Sequence, residues 1–225
     1  MRAFVVVVVV LLLAALGADR VAEHVTTDRA ETRLASEGVT RPQVDVSGFP
    51  FLTQLLDRRF PEVRLTASGL ATRAGRARRL VVSAHDVSLP QQGQATAGSV
   101  RATGFVTYAE VLRRSGANGV DLEPAGDGKV RLRGDAQVLE ETVPVAAVGR
   151  VTAAGREIRI EPTRFEADGV PVDSAALLDA LGARFTLVYR LRELPRGLRV
   201  ADVEPGPTGF RVVVTGTDVT LPTGD

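Results

Sequence analysis

The sequence predicts an α+β fold, a strongly twisted antiparallel sheet of hairpins wrapped around a long helix. Three observations predict it. From Phe60 to Leu221 the chain runs largely through short alternating stretches divided by glycine turns, as hairpins do. Ahead of them, Asp19 to Glu37 reads as a helix, and two shorter helices interrupt the strands. A sheet of long antiparallel strands twists strongly, and its apolar face must be covered, for which only the helices are available.

The elements follow in order. Met1-Arg2 precedes sixteen uncharged residues, Ala3 to Ala18, in which six valines run into Leu11-Leu12-Leu13. A basic start, an apolar run and then small residues make a secretory signal. At 1.5 Å per residue the run is slightly short of a ~30 Å hydrocarbon core. Residues 1–18 are thus expected to be a signal peptide or a short N-terminal membrane anchor, and 19–225 a single domain. The helix from Asp19 carries a thin stripe of Val21, Val25 and Leu34 and stops at Gly38. Val44 to Ser47 is a short strand that drops at Gly48 and Pro50 into a compact helical turn. That turn carries Phe49, Phe51, Leu52, Leu55 and Leu56, and a new strand starts at Phe60.

Val63 to Ala67 alternates, as does Arg79 to Val87 in part. Between them Arg73, Arg76, Arg78 and Arg79 read as a loop broken by Gly75, and Gln91 to Gly98 as an exposed loop. After a strand at Ser99 to Val106, Thr107-Tyr108-Ala109-Glu110 fits a helix-opening capping box, followed by Val111 and Leu112. Val120 to Pro124 and Lys129 to Arg133 form a hairpin around Gly126-Asp127-Gly128. Val143 to Thr152 and Arg156 to Glu161 form another, turning at Ala154-Gly155. Asp173 to Ala183 is a helix with Leu177, Leu178 and Leu181 on one side. Phe185 to Leu191, Leu198 to Val203 and Phe210 to Leu221 complete the strands. Within them Leu80 to Pro90 is echoed by Val212 to Pro222, down to the Asp-Val pairs Asp86-Val87 and Asp218-Val219. Shared ancestry and the ordinary repetition of hairpin sheets both account for the echo.

Composition narrows the function. Hydrophobic residues make up 44% of the chain, enough for a core, but aromatics are only 4% and tryptophan is absent, so Val, Leu and Ala must fill it. A formal net charge of +1 leaves no global field to steer nucleic acid, which is not an expected partner. Without cysteine there is no disulfide, no thiol nucleophile and no Cys-type zinc site. His85 beside Asp86 suggests a triad fragment, yet neighbouring strand residues point to opposite faces and no Gly-x-Ser-x-Gly elbow supplies a nucleophile. Asp127-Gly128 reads as a turn rather than as part of a calcium loop. The chain is therefore expected not to be an enzyme, and to use no cofactor or metal.

The few aromatics gather at strand-to-helix junctions: Phe49, Phe51 and Phe60 at one, Phe105 and Tyr108 at a second, Phe185 at a third. They read either as core or as the rim of an acyl-chain groove, with Leu112 and the leucines of the 173–183 helix beside them. The arginine cluster reads either as a solvated connection or as a headgroup contact, because clustered arginine binds phosphate bidentately.

The stretch Val44 to Asp57 running on to Leu65, the Phe105 to Glu110 junction and the tail Leu194-Pro195-Arg196-Gly197-Leu198-Arg199-Val200 carry a resemblance. On them the chain resembles the lipomannan-elongation-regulator-like phospholipid-binding family of actinobacterial cell-envelope proteins. The resemblance implies export to the periplasm or cell envelope, phospholipid binding at the membrane surface and a part in lipoglycan or envelope homeostasis. It also implies a fold similar to tubular lipid-binding domains, and it brings no catalytic motif. The expected function is a non-enzymatic lipid-binding or lipid-transfer protein. The alternative is a membrane-anchored structural or adaptor protein that binds another envelope protein.

Overall fold

The computed structural model describes residues 39–47, 57–72, 75–88, 94–138, 141–167, 169–172, 179, 181–183, 185–191 and 194–221. It corrects the expected fold class. Among the described residues the protein is mostly antiparallel sheet, 76% strand and 10% helix, and the helical residues fall into two short helices, with no long helix among them for a sheet to wrap. The physical reason is ladder length. Alternation marks five to eight residues of a strand, but pairing with neighbours carries several strands to 13 or 14 residues. Segments that read as loops become strand. The helix expected at Asp19 to Glu37 and the turn carrying Phe49 to Leu56 lie outside the described residues.

Twelve strands are present among the described residues: β1 Val39–Ser47, β2 Arg59–Thr72, β3 Gly75–Ser88, β4 Ala95–Thr107, β5 Val120–Gly126, β6 Lys129–Val138, β7 Glu141–Ala154, β8 Glu157–Ala167, β9 Val170–Pro171, β10 Leu187–Arg190, β11 Arg199–Gly206 and β12 Gly209–Leu221. Of the two short helices, α1 spans Tyr108–Ser115. One sheet has the order β1-β2-β3-β4-β12-β11; the other has β10-β8-β7-β6-β5, with β9 on β8. The chain divides into two compact units. The first takes Met1–Phe105, Leu191–Arg199 and Val213–Asp225; the second takes Val106–Arg190 and Val200–Val212.

In the first unit the pleat changes phase along one line. On β2 the buried residues are Val63, Leu65 and Ala67, then Phe60; on β3 they are Leu80, Val82 and Ala84, then Val87; on β4, Val100 and Ala102, then Ala97 and Ala95. Each strand skips an odd step. The skip falls beside Asp86, whose φ of 52° is left-handed. Asp tolerates that region better than most residues, because its short polar side chain bonds locally. Asp218 repeats the conformation at φ 49° ahead of buried Val219, as Asp86 does ahead of buried Val87. The sequence echo between Leu80–Pro90 and Val212–Pro222 is thus also an echo of backbone geometry.

The second unit is built from tight hairpins. Asp127 and Gly128 both have positive φ, 50° and 68°, as a two-residue type I′ turn requires. Ala154 pairs with Glu157, so β7 and β8 turn through Gly155 and Arg156, with Gly155 at φ 61°. Across the sheet, Leu122, Leu132, Ala147 and Phe165 stand in one row on four successive strands, and all are buried. Val130, Leu132, Ile158, Ile160 and Phe185 have no exposed surface. Helix α1 starts as its capping box predicts, with Thr107 Oγ1 accepting from the Glu110 amide at 3.3 Å, and it ends at Gly116 with φ 74°.

Candidate functional site

The arginines sit on a strand, not in a loop. β3 begins at Gly75, so Arg76, Arg78 and Arg79 lie along its first turns of pleat, all exposed. The ladder to β2 extends to Thr72 opposite Gly75, which leaves only a two-residue connection where a loop was expected. Arg73 is in that connection and outside the described residues. The β3–β4 register shifts between Arg78 and Val81, and Arg79 has φ 50° within this bulge. The bulge re-aims Arg79: its guanidinium carbon lies over the Phe105 ring, 6.0 Å from the centroid. Phe105 is half-buried on β4 and stands opposite Arg78 in the ladder. A cation over an aromatic at that range is worth roughly 0.5–1 kcal/mol at an exposed site. Two residues that the sequence placed in different groups, headgroup and acyl-chain contact, meet here.

The other described aromatics expected at a groove are buried in cores. Phe60 on β2 is 1% exposed and faces Val87. Tyr108 opens α1, donates its hydroxyl to the Gly206 carbonyl at 2.6 Å and sets its ring edge-on to Phe210, with centroids 4.9 Å apart. Phe185 is fully buried and meets Phe165 edge-on at 5.8 Å. Leu181 is buried, while Leu112 on α1 is half-buried. Phe49, Phe51, Leu52, Leu55, Leu56, Leu177 and Leu178 lie outside the described residues.

A shallow concavity of about 460 Å³ opens in the second unit, lined by Glu161, Pro162, Thr163 and Phe165 of β8 with Asp179, Gly182 and Thr186. Its volume is at the lower end of small-molecule sites, which run from ~300 to ~1,000 Å³. The two carboxylates in the lining, Glu161 and Asp179, repel a phosphate. Near α1, Glu110 is buried and held by Arg114 at 3.3 Å and by Arg113. Burial raises the phenol pKa of Tyr189, with the Glu110 charge adding to it, and burial alone raises that of Tyr108.

His85 and Asp86 are both exposed, against the expectation that strand neighbours point to opposite faces. The left-handed turn at Asp86 breaks the alternation. His85 stands opposite Glu62 on β2 and Ser99 on β4. No group of three or more His, Asp or Glu side chains that would hold a metal is assembled among the described residues.

Sequence reasoning missed Arg101 and Val81. Both are exposed, Val81 on the strand that carries the arginine cluster, with 38% of its surface in solvent, and Arg101 on the adjoining β4. The available signal was the strict alternation of β4 around Arg101, between buried Val100 and Ala102.

No curated protein and no solved structure matches the chain. A family model does, over residues 17–221, nearly the whole length, and it is described as LmeA-like phospholipid-binding. The chain, with arginine set against a half-buried aromatic on its sheet, therefore belongs to the LmeA-like phospholipid-binding family.

Proposed function

We propose that the protein is an exported cell-envelope protein that binds phospholipid without chemically altering it and passes or presents it at the membrane. The observation that carries this reading is membership of a phospholipid-binding family over 17–221. The Arg79–Phe105 pair supports it, because it puts a phosphate-seeking cation beside an apolar ring. Arg76 and Arg78 on the same strand extend the cationic side of that contact, and Arg73 precedes them in the sequence. The apolar residues from Phe49 to Leu56, with Leu177 and Leu178, supply the acyl-chain side. Each methylene buried contributes about 0.8 kcal/mol, so a partly enclosed chain gives useful affinity by itself. The apolar run before Ala18 supports export.

Native mass spectrometry of the purified protein, with organic extraction of what copurifies, tests the reading. A stoichiometric phospholipid adduct that is lost in Leu55→Glu or Leu178→Glu is the expected result. A lipid-free mass, with no lipid taken up from vesicles, would sink it and leave the adaptor reading in its place.

A further inference from the structure

The net charge of +1 conceals a strong segregation. From Val63 to Ala109 there are six arginines, at 64, 73, 76, 78, 79 and 101, and one carboxylate, Asp86. That segment carries +5 and the rest of the chain −4. The fold gathers the basic segment into three adjacent strands, β2, β3 and β4. Arg64, Ser83 and Arg101 share one row across them, and Thr66, Val81 and Thr103 share the next. Beyond the bulge come Phe105 opposite Arg78, then Arg79 and Arg76. Arg64 is answered by Glu62 at 3.0 Å, so the uncompensated charge lies toward Arg101, Arg78 and Arg79.

This outer face therefore combines clustered positive charge with exposed Val81 and half-buried Phe105, and its acids, Glu62 and Asp86, lie toward the far end, where the pleat changes phase. A surface charge field falls off within about 8–10 Å at physiological salt. An extended, cationic and slightly apolar sheet face is matched by a partner that is itself extended and anionic. We infer that the outer face of β2, β3 and β4 docks flat on a bilayer rich in anionic phospholipid, with Arg78, Arg79 and Arg101 as its main electrostatic contacts. The inference rests on the proposed phospholipid-binding function in that lipid is the partner. It adds a second mode of engagement: a headgroup layer met by a sheet face, separate from any single lipid held by its acyl chains.

The test is sedimentation of the full chain with vesicles of phosphatidylcholine alone and of phosphatidylcholine with phosphatidylglycerol. Binding through the apolar N-terminal run is common to both, so the difference reads the face. Each basic residue at an anionic surface is worth roughly a fivefold gain. The expected preference for phosphatidylglycerol vesicles is at least about tenfold, lost in R78E/R79E/R101E and suppressed by high salt. The control R150E/R164E/R199E changes net charge equally but lies outside the patch, and it should keep the preference. Equal binding to both vesicles, or equal loss in the control, overturns the proposal. Should the triple variant not fold, the salt dependence of the unaltered protein still decides, because a salt-independent preference is incompatible with charge docking. Copurified lipid without an anionic preference would end this inference alone and leave the proposed function standing. An anionic preference without copurified lipid supports the docking face while the acyl-chain reading fails.

Discussion

Asp86 on β3 lies directly across from Gly98 on β4, and a Cβ placed at Gly98 would come within 3.1 Å of the Asp86 Cβ and 3.3 Å of its Oδ2. The left-handed aspartate needs a neighbour without a side chain. A β-branched residue cannot take φ 52° without strain. Asp86→Val is therefore expected to cost about 1–3 kcal/mol, and Asp86→Gly much less. Gly98→Ala should fall between them. Urea midpoints at constant slope check all three, and an Asp86→Val variant as stable as the parent would remove the strained-corner account.

Gly134 offers a sharper contrast. A Cβ there would meet the Gly119 carbonyl oxygen at 2.6 Å, a backbone atom that cannot rotate away. Gly134→Ala should destabilise by about 2–4 kcal/mol, in the range of strain and overpacking effects. At Gly182 an added Cβ meets nothing within 4 Å. Gly182→Ala should be neutral or slightly stabilising, by up to about 1 kcal/mol, since Gly is the more flexible unfolded residue. Thermal melts of the pair give the comparison directly.

Phe185 has no exposed surface and packs edge-on against Phe165. Truncation to Ala should cost about 3–5 kcal/mol. If lipid uptake per folded molecule is unchanged in that variant, Phe185 belongs to the core alone. A variant that keeps full stability but loses lipid would assign the ring to the groove.

The chain has two tyrosines and no tryptophan, so tyrosinate absorbance reads both phenols without interference. Both have pKa values raised above 10.0 by burial. A raised phenol pKa favours the neutral form in the folded state. Its stabilising effect is whole below the unfolded value near 10 and is lost as pH rises through the folded values. Alkaline unfolding and tyrosinate formation should therefore coincide above pH 10. Glu110→Gln should lower the Tyr189 midpoint more than that of Tyr108, because the Glu110 charge adds to the rise at Tyr189 while burial is the cause at Tyr108. Ionisation of both phenols at ordinary values in a still-folded protein would contradict their burial.

The parts of the fold that were legible in the sequence are the parts decided locally. Asp127-Gly128 and Gly155 turn where their residue types require, Thr107 caps α1, and the alternation at Ile158 and Ile160 marks two fully buried positions. Ladder extent was not legible, because a strand continues for as long as a partner pairs with it. Arg76 to Arg79 and Ala95 to Gly98 look like loop in isolation and are strand because β2, β3 and β4 run past one another to their ends. Gly98 reads as a breaker, yet it is the residue that lets the strand pass Asp86. At the candidate site, the arginines and Phe105 were legible as residue types. Their meeting was not, since it depends on a one-residue shift in register between Arg78 and Val81.

The division of the chain also sets an order of events. β4 ends at Thr107, while its neighbour β12 begins at Gly209. At ~5–20 residues per second, synthesis separates them by roughly ten seconds. Through that interval β4 presents an open hydrogen-bonding edge, the kind of edge that recruits a foreign strand. The first unit draws on the segment from Val213 onward, and so is completed only after the second unit's strands β5 to β8 have been made. Until β12 has been made, the first unit of a nascent chain lacks the strand that closes β4, and its sheet stays open on that side.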